Sequence, residues 1–380
     1  MAKIRVLVCD DSALMRRTLK SIIESDPRLE VAGTARDGKD VIEKARELRP
    51  DVITLDINMP RMDGLTALKT LVEEAIAPVV MVSSLTQEGA SITIEALEIG
   101  AFDVVAKPGG TVTIDMSSVA RELISKIKAA ARSGTARRLA RRTRRGAVLK
   151  RKEPEALPRL RPITERPKER VARPSTIAPP KPSKLPPFPA VAIGISTGGP
   201  KTILDVLPYL PEDLPAAVFL VQHMPPGFTA SYADRLNKNS ALTVLHAETG
   251  QKVEPGTCYV GHSGYHLTVF QKIKGDLIVR NTKRPQHLFM PSADVMMDSV
   301  LSIFGSRTVG VLMTGMGDDG ADAMVKIRQA GGYTIAESEE SAIVFGMPRE
   351  AIERGGAEVV APSWEIAKYI LKGIKKVMEG

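Results

Sequence analysis

Short apolar runs alternate with amphipathic stretches along most of the chain. IRVLVCD (4–10), LEVAGTA (29–35), DVITLD (51–56), APVVMVSS (77–84) and AFDVVAK (101–107) are strand-length. Continuous apolar runs of this kind suit strands buried on both faces. Helical spacing fills the intervals at 12–23, 38–48, 64–75, 87–99 and 118–131. Five such β/α units predict a doubly wound parallel sheet with helices on both faces.

The alternation returns at residue 189. Strands are predicted at AVAIGIS, AAVFLVQH, TVLHA, CYVGH, LTVF, LIVRN, TVGVLMTG, GYTIAES and AEVVAP. Helices are expected at 200–208, 228–238, 292–304, 319–330 and 364–378. The part from 242 to 281 is rich in strand and turn signals, which predicts an antiparallel piece beside a mostly parallel sheet. The class is α/β throughout, with one domain at 1–131 and a second at 189–380.

Charge separates the segment between them. Residues 1–131 carry 17 basic and 20 acidic side chains, residues 132–188 carry 18 and 4, and residues 189–380 carry 18 and 20. The net charge of +9 therefore lies wholly in the middle. That segment opens arginine-rich and continues with prolines every few residues from Pro154 to Pro187. It has too few large apolar side chains to form a core and reads as an extended basic linker. At roughly 3.1 Å per residue its proline part can span on the order of 100 Å. Neither flank has the basic face or recognition-helix pattern of a DNA-binding domain, so sequence-specific nucleic-acid binding is not expected. No apolar run approaches the roughly 20 residues of a membrane span, and the amino terminus lacks the apolar core of a signal peptide. A cytoplasmic protein is expected. The two cysteines, Cys9 and Cys258, lie in separate strand-like runs and read as buried small apolar residues.

In the first domain, polar residues gather at strand ends. Asp10 and Asp11 follow the first strand, Asp56 ends the third, Ser83 the fourth, and Lys107 follows the fifth. All fall at the carboxyl edge of one sheet, where such folds place their functional groups. Three convergent carboxylates call for a hard divalent cation, and Lys107 offers a charge to an incoming anion. Either aspartate after the first strand could instead cap the following helix. The Lys107–Pro108 bond is of the type that can be cis. DDS (10–12), LDINMPRMDG (55–64), SS (83–84) and AKP (106–108) resemble the response-regulator receiver domain. The resemblance implies a flavodoxin-like (βα)5 fold in which Asp56 accepts a phosphoryl group from a histidine kinase. It implies Mg²⁺ held by Asp10, Asp11, Asp56 and the Asn58 carbonyl, with Ser83 and Lys107 as the switch residues that meet the phosphoryl group. Phe102 is read as the aromatic switch residue.

In the second domain, AIGISTGGP (192–200) raises two possibilities. GISTG fits G-x-S-x-G, a turn that exposes a serine hydroxyl. Glycines after a strand also suit a phosphate-binding loop, but the P-loop lysine is missing at the required spacing. A nucleophilic Ser196 needs a base and a group to orient that base. All five histidines of the chain lie here. His223 ends a predicted strand and is the first candidate. His246 reads as a sheet or surface residue. His262 and His266 could lie near the site or in a hairpin, and their spacing of four weakly suggests a metal. His287 sits in a polar loop that could touch substrate. The run VGVLMTGMGDDG (309–320) leads a strand into a glycine turn ending at Asp318 and Asp319, which could cap a helix, orient the base, or divide the two tasks. Its backbone could stabilise an oxyanion.

IGISTGGP, VQHMPPGFT (221–229), PSADVMMDSV (291–300) and LMTGMGDDGADAM (312–324) together resemble the catalytic domain of the chemotaxis protein-glutamate methylesterase family. Receiver, linker and catalytic domain in this order are that family's architecture. The resemblance implies hydrolysis of glutamate methyl esters on chemoreceptors and deamidation of receptor glutamines, with Ser196 as nucleophile, His223 as base and Asp319 as the third member. Thr197 and Met316 fall where the family places residues around the oxyanion and the active site. It implies no cofactor for the ester reaction and a chemotaxis histidine kinase as phosphodonor. The family linker is usually short, and one of some 57 residues permits docking of the receiver without enforcing it.

Overall fold

A computed structural model describes residues 2–83, 87–107, 116–133, 185–273 and 275–379; the side chains of 87–91 and 116–118 are not part of that description. Most of the basic linker, Ser84 and Pro108 therefore lie outside the described residues.

The first unit runs β1 (Ile4–Cys9), α1 (Ala13–Glu24), β2 (Leu29–Ala35), α2 (Gly38–Leu48), β3 (Val52–Asp56), α3 (Gly64–Glu73), β4 (Val79–Ser83), α4 (Gln87–Ile99), β5 (Asp103–Ala106) and α5 (Met116–Arg132). The sheet order is β2-β1-β3-β4-β5, all parallel. Side chains of alternate strand positions enter opposite cores. Leu7, Ile53, Leu55 and Met81 pack in one cluster with Val41, Leu68 and Leu71, while Val6, Val8, Val80 and Val82 join Leu19, Leu123 and Ile127 in the other. This two-faced burial explains why the strands read as unbroken apolar runs. Ser12, not an aspartate, caps α1, its hydroxyl accepting from the Met15 N–H.

The second unit contains β6 (Ala190–Ile195), α6 (Gly199–Thr202), β7 (Ala217–Gln222), α7 (Thr229–Asn239), β8 (Thr243–His246), β9 (Thr257–Val260), β10 (His266–Gln271), β11 (Leu277–Thr282), α8 (Ala293–Phe304), β12 (Thr308–Leu312), α9 (Ala321–Gln329), β13 (Tyr333–Glu337), α10 (Met347–Glu353), β14 (Val359–Ala361) and α11 (Ser363–Glu379). Seven strands form a parallel sheet, β14-β13-β12-β6-β7-β9-β8. The antiparallel piece is smaller than the 242–281 expected. It is the β10–β11 hairpin with the short stretch 250–253 bridged to β11, because β8 and β9 join the main sheet in parallel. The helix expected at 200–208 is one α-turn followed by two 3₁₀ turns, since Pro208 cannot continue an α-helical hydrogen-bond ladder. Helix α10 was not foreseen; Pro348 occupies its first turn, where a missing N–H costs nothing.

The two units touch. Ile94 of α4 lies in the core cluster of the second unit, and Glu98 of α4 pairs with Arg235 of α7. Ile343 and Val344 pack against the receiver-side cluster that contains Leu123 and Ile127. A cleft of about 1040 Å³ between the units is lined by Arg121, Ser125 and Lys128 on one side and Met316, Ile343 and Arg349 on the other.

Candidate active site

Strand β6 is the topological switch point of the seven-stranded sheet, with β7 on one side and β12 on the other. Ligand sites of open α/β sheets form at such points, beyond the carboxyl ends of the strands. Ser196 leaves β6 there. His223 leaves β7 one position past the Ile195–Gln222 register pair, and its N–H donates to the Ile195 carbonyl at 3.1 Å. Asp319 comes from the loop after β12. The three candidates are thus delivered by three adjacent strands.

Asp319 is 3 % exposed, and His223 Nε2 lies 2.8 Å from its Oδ2. With a carboxylate facing Nε2, the proton belongs on Nε2 and Nδ1 keeps its lone pair. Nδ1 is buried and makes no hydrogen bond among the described residues. Phe289 stacks on the imidazole, ring centroids 4.4 Å apart and planes within 7°. It shields one face of the ring and holds its plane.

Asp319 is also held from behind. It accepts from Ser292 Oγ (2.7 Å) and from the N–H groups of Ala293 (2.6 Å) and Asp294 (3.1 Å), at the start of α8. Burial alone would raise its pKa, but the bonds from His223, Ser292 and Ala293 outweigh that and hold it well below the usual carboxylate range. In return, Asp294 Oδ1 accepts the Ala323 N–H at the start of α9. The starts of the two helices are thus tied to each other by Asp319, which precedes α9, and by Asp294, in the first turn of α8. Neither aspartate caps the helix that follows, whose N-cap Gly320 makes no side-chain cap bond; Asp319 instead accepts at the start of α8 and faces His223, while Asp318 faces outward and pairs with Arg354 at 2.6 Å.

The Ser196 loop is tied to the β12 loop. The Ser196 N–H donates to the Thr314 carbonyl and Thr314 Oγ1 donates to the Thr197 carbonyl, both at 2.9 Å. Thr314 N–H donates in turn to Glu337 Oε2 at 2.7 Å. Glu337 is fully buried, and burial pushes its carboxyl up to about 7. Gly315 lies against the serine: a Cβ there would stand 2.7 Å from Ser196 Cβ. Thr197 is buried beside the nucleophile candidate, and Met316 lies on the facing loop with its Sδ 3.2 Å from Ser125 Oγ of α5.

The remaining histidines take other parts. His266 is saturated, accepting from the Ser292 N–H at Nδ1 (3.1 Å) and donating from Nε2 to the Pro285 carbonyl (2.9 Å). His262 stacks with His246 at 4.7 Å, so the residues 262 and 266 do not converge on a metal. His287 stands at the edge of the site, one third exposed, with Nε2 4.0 Å from Asp319 Oδ1. Ser292, Phe289, Gln222 and Glu337 were not singled out in the sequence; Ser292 and Gln222 carried a signal only through their places in the PSADVMMDSV and VQHMPPGFT runs.

In the first unit, Asp56, Ser83 and Lys107 meet at the carboxyl edge through the Asp56–Val82 and Ser83–Ala106 register pairs. One oxygen from each of Asp10, Asp11 and Asp56 lies within 4.8 Å of the others. Lys107 Nζ reaches Asp10 at 2.9 Å and Asp56 at 2.8 Å. Burial raises the Asp56 carboxyl more than Lys107 lowers it. One ammonium thus under-neutralises three carboxylates, and the all-oxygen donor set fits a hard divalent cation such as Mg²⁺. Asn58 lies exposed two residues beyond Asp56. Phe102 is placed elsewhere: it precedes β5 at the opposite edge from Lys107 and is buried at 2 % exposure in the α5-side core, out of reach of the acidic pocket.

An acidic pocket at the carboxyl edge of a five-stranded sheet, followed by Ser196, His223 and Asp319 leaving adjacent strands of a second sheet, fits a response regulator with a hydrolase-type output domain. Residues 6–116 match the response regulator receiver domain and residues 191–370 the CheB methylesterase family. A Syntrophomonas wolfei protein named protein-glutamate methylesterase/protein-glutamine glutaminase 3 is 55 % identical over 98 % of this chain and 100 % of its own. A Caldanaerobacter subterraneus protein named protein-glutamate methylesterase/protein-glutamine glutaminase is 50 % identical over 98 % of this chain and 97 % of its own. The crystal structure of the Thermotoga maritima CheB methylesterase catalytic domain aligns at 39 % identity and a TM-score of 0.47, over 49 % of this chain and 98 % of that one. The chain belongs to the protein-glutamate methylesterase/protein-glutamine glutaminase family. No helix among the described residues is long and apolar enough to cross a membrane.

Proposed function

We propose that this protein is a phosphorylation-activated methylesterase and glutamine deamidase acting on cytoplasmic segments of chemoreceptors. Residues 1–131 receive the signal, 132–188 tether, and 189–380 catalyse. The observation that carries this reading is the His223–Asp319 pair at 2.8 Å, set at the end of the strand beside Ser196.

Ser196 Oγ attacks the carbonyl carbon of a glutamate methyl ester while His223 Nδ1 takes the hydroxyl proton. The tetrahedral intermediate collapses, and the imidazolium gives that proton to the departing methoxide as methanol leaves. Water, deprotonated by the same nitrogen, then attacks the acyl-serine and releases a glutamate carboxylate. With a glutamine side chain, ammonia is the leaving molecule and the later steps are the same. Asp319 stays ionised, fixes the ring and offsets its positive charge. Backbone donors near Thr197 and Met316 are assigned to the oxyanion.

The receiver limits access to this chemistry. Its α4 and α5 lie on the catalytic unit, and α5 touches the Met316 loop. Asp56 is assigned as acceptor of a phosphoryl group from a chemotaxis histidine kinase. Asp10, Asp11, Asp56 and the Asn58 carbonyl would hold Mg²⁺, which supplies charge neutralisation at the phosphoryl group when bound. Lys107 and Ser83 then meet the new dianion, and the rearrangement loosens the α4–α5 face. The test is methanol release from methylated receptor by the full chain, with and without a phosphodonor. The wild type is stimulated and Ser196→Ala releases none. Undiminished release by Ser196→Ala overturns the reading.

A further inference from the structure

Gln222, the last residue of β7, is buried at 2 % exposure. Its Nε2 donates to two backbone carbonyls, those of Ser196 (2.8 Å) and His223 (3.0 Å). One amide thus joins the main chains of the two residues that must exchange a proton. Two carbonyls can be met only by the NH₂ group, so this pattern dictates the orientation of the side chain. Oε1 then points away, buried and without a hydrogen-bond partner among the described residues.

An unpaired buried amide oxygen ordinarily costs stability. The arrangement is kept even so, and the Ser196 loop is shaped around it. A Cβ at Gly199 would lie 2.1 Å from Gln222 Oε1. The Gly199 N–H also donates to the Ser196 carbonyl at 2.8 Å, so that carbonyl is held from two sides. The glycine after Gly198 serves the amide beneath the loop as much as the turn itself.

We propose that Gln222 is a positioning residue that sets the separation of Ser196 and His223 by clamping their carbonyls to one amide. It touches no reacting atom and acts through the two residues it joins. The inference rests on Ser196 and His223 as nucleophile and base. Removing the clamp lets the two loops drift, and sub-ångström drift between nucleophile and base slows the chemical step while leaving substrate binding alone.

The experiment uses the full chain with a phosphodonor and measures kcat and KM for methanol release by Gln222→Leu and Gln222→Glu. In Gln222→Leu both bonds are lost, and kcat falls about 10- to 100-fold while KM stays within about twofold. In Gln222→Glu the ionised form sets a carboxylate against two carbonyl oxygens, and the protonated form can donate to one of them. Its kcat relative to wild type therefore rises severalfold as pH is lowered from 8 to 6, whereas the ratio for Gln222→Leu stays flat. A folded Gln222→Leu variant with kcat within twofold of wild type overturns the proposal, as does a loss confined to KM. If the leucine variant fails to fold, the pH trend of the glutamate variant decides, and a flat or inverted ratio overturns it. Ser196→Ala run alongside separates the two readings: activity there removes the parent assignment, whereas a silent Ser196→Ala with unimpaired Gln222 variants removes this inference alone.

Discussion

Ser125 Oγ lies 3.2 Å from Met316 Sδ, joining α5 of the receiver unit to the loop that leads to Asp319, across 191 positions of sequence. The contact sets α5 of the receiver unit against the loop that carries Asp319 three residues on. On the proposed reading, a change in how α5 lies reaches that loop without a long relay.

The docking should be adjustable by charge. Glu98 and Arg235 form an ion pair across the units, both partly exposed. Such pairs contribute about 1 kcal/mol or less. Glu98→Arg should raise methanol release without a phosphodonor by about two- to fivefold and shrink the stimulation by phosphorylation. The charge-swapped Glu98→Arg/Arg235→Glu double variant should return toward wild type. An unchanged basal rate in the single variant would show that this contact does not restrain activity.

Chelation should separate signalling from chemistry. On the proposed reading the three clustered carboxylates of the receiver pocket take up a cation for phosphoryl transfer, while the ester reaction runs through Ser196, His223 and Asp319 without one. EDTA should abolish phosphodonor stimulation and leave basal methanol release unaltered. Asp56→Asn should do the same at any Mg²⁺ concentration, since the nucleophilic carboxylate is gone. Acid-labile phosphate incorporation, measured alongside, checks both.

Glu337 should make the catalytic unit lose stability as pH rises. In the unfolded chain this carboxyl ionises near 4.5, and in the folded chain only at about 7. Between those values the folded state binds more protons than the unfolded one, so stability falls with increasing pH across that window. The stabilisation is fully present below about 4.5 and lost above about 7, on the order of 3 kcal/mol. Denaturant midpoints from pH 5 to 8 should fall for wild type and be flatter for Glu337→Gln. Equal slopes would refute the assignment.

Gly315→Ala should displace the nucleophile. The new Cβ would stand 2.1 Å from Met347 Sδ and 2.7 Å from Ser196 Cβ. A thioether can swing aside, but Ser196 is anchored through its N–H to Thr314 and through its carbonyl to Gln222. A fall in kcat of about 100-fold is expected, with KM little changed. Adding Met347→Ala relieves only the first clash, so activity should remain low; recovery would place the damage at the methionine.

The strand ends were legible from sequence because parallel strands buried on both faces read as unbroken apolar runs, and polar residues stand out where each run stops. That logic located Asp56, Lys107, Ser196, His223 and the Asp318–Asp319 turn. Pairing was less legible. Strands β8 and β9 have the composition of hairpin strands, and nothing local says that they align parallel to β7. The receiver resemblance put the aromatic switch at Phe102, but the four-residue strand β5 carries Phe102 and Lys107 to opposite edges of the sheet. Gln222 and Glu337 were missed because their roles depend on backbone groups of distant loops. A buried glutamine at a strand end has no periodicity to announce it. Ser292 was visible as part of a run, yet its bond to Asp319 exists only once two helices start side by side.

That last arrangement bears on how the enzyme matures. Asp319, in the loop before α9, accepts from the start of α8, and Asp294 of α8 accepts from the start of α9, so the proposed triad acid is held in place when the two helices start side by side. A chain collapsed around its sheet but with α8 still loose would present Ser196 and His223 without a properly held acid. Such an intermediate is hydrolytically silent. During refolding, ester hydrolysis should therefore return with the docking of these two helices rather than with secondary structure.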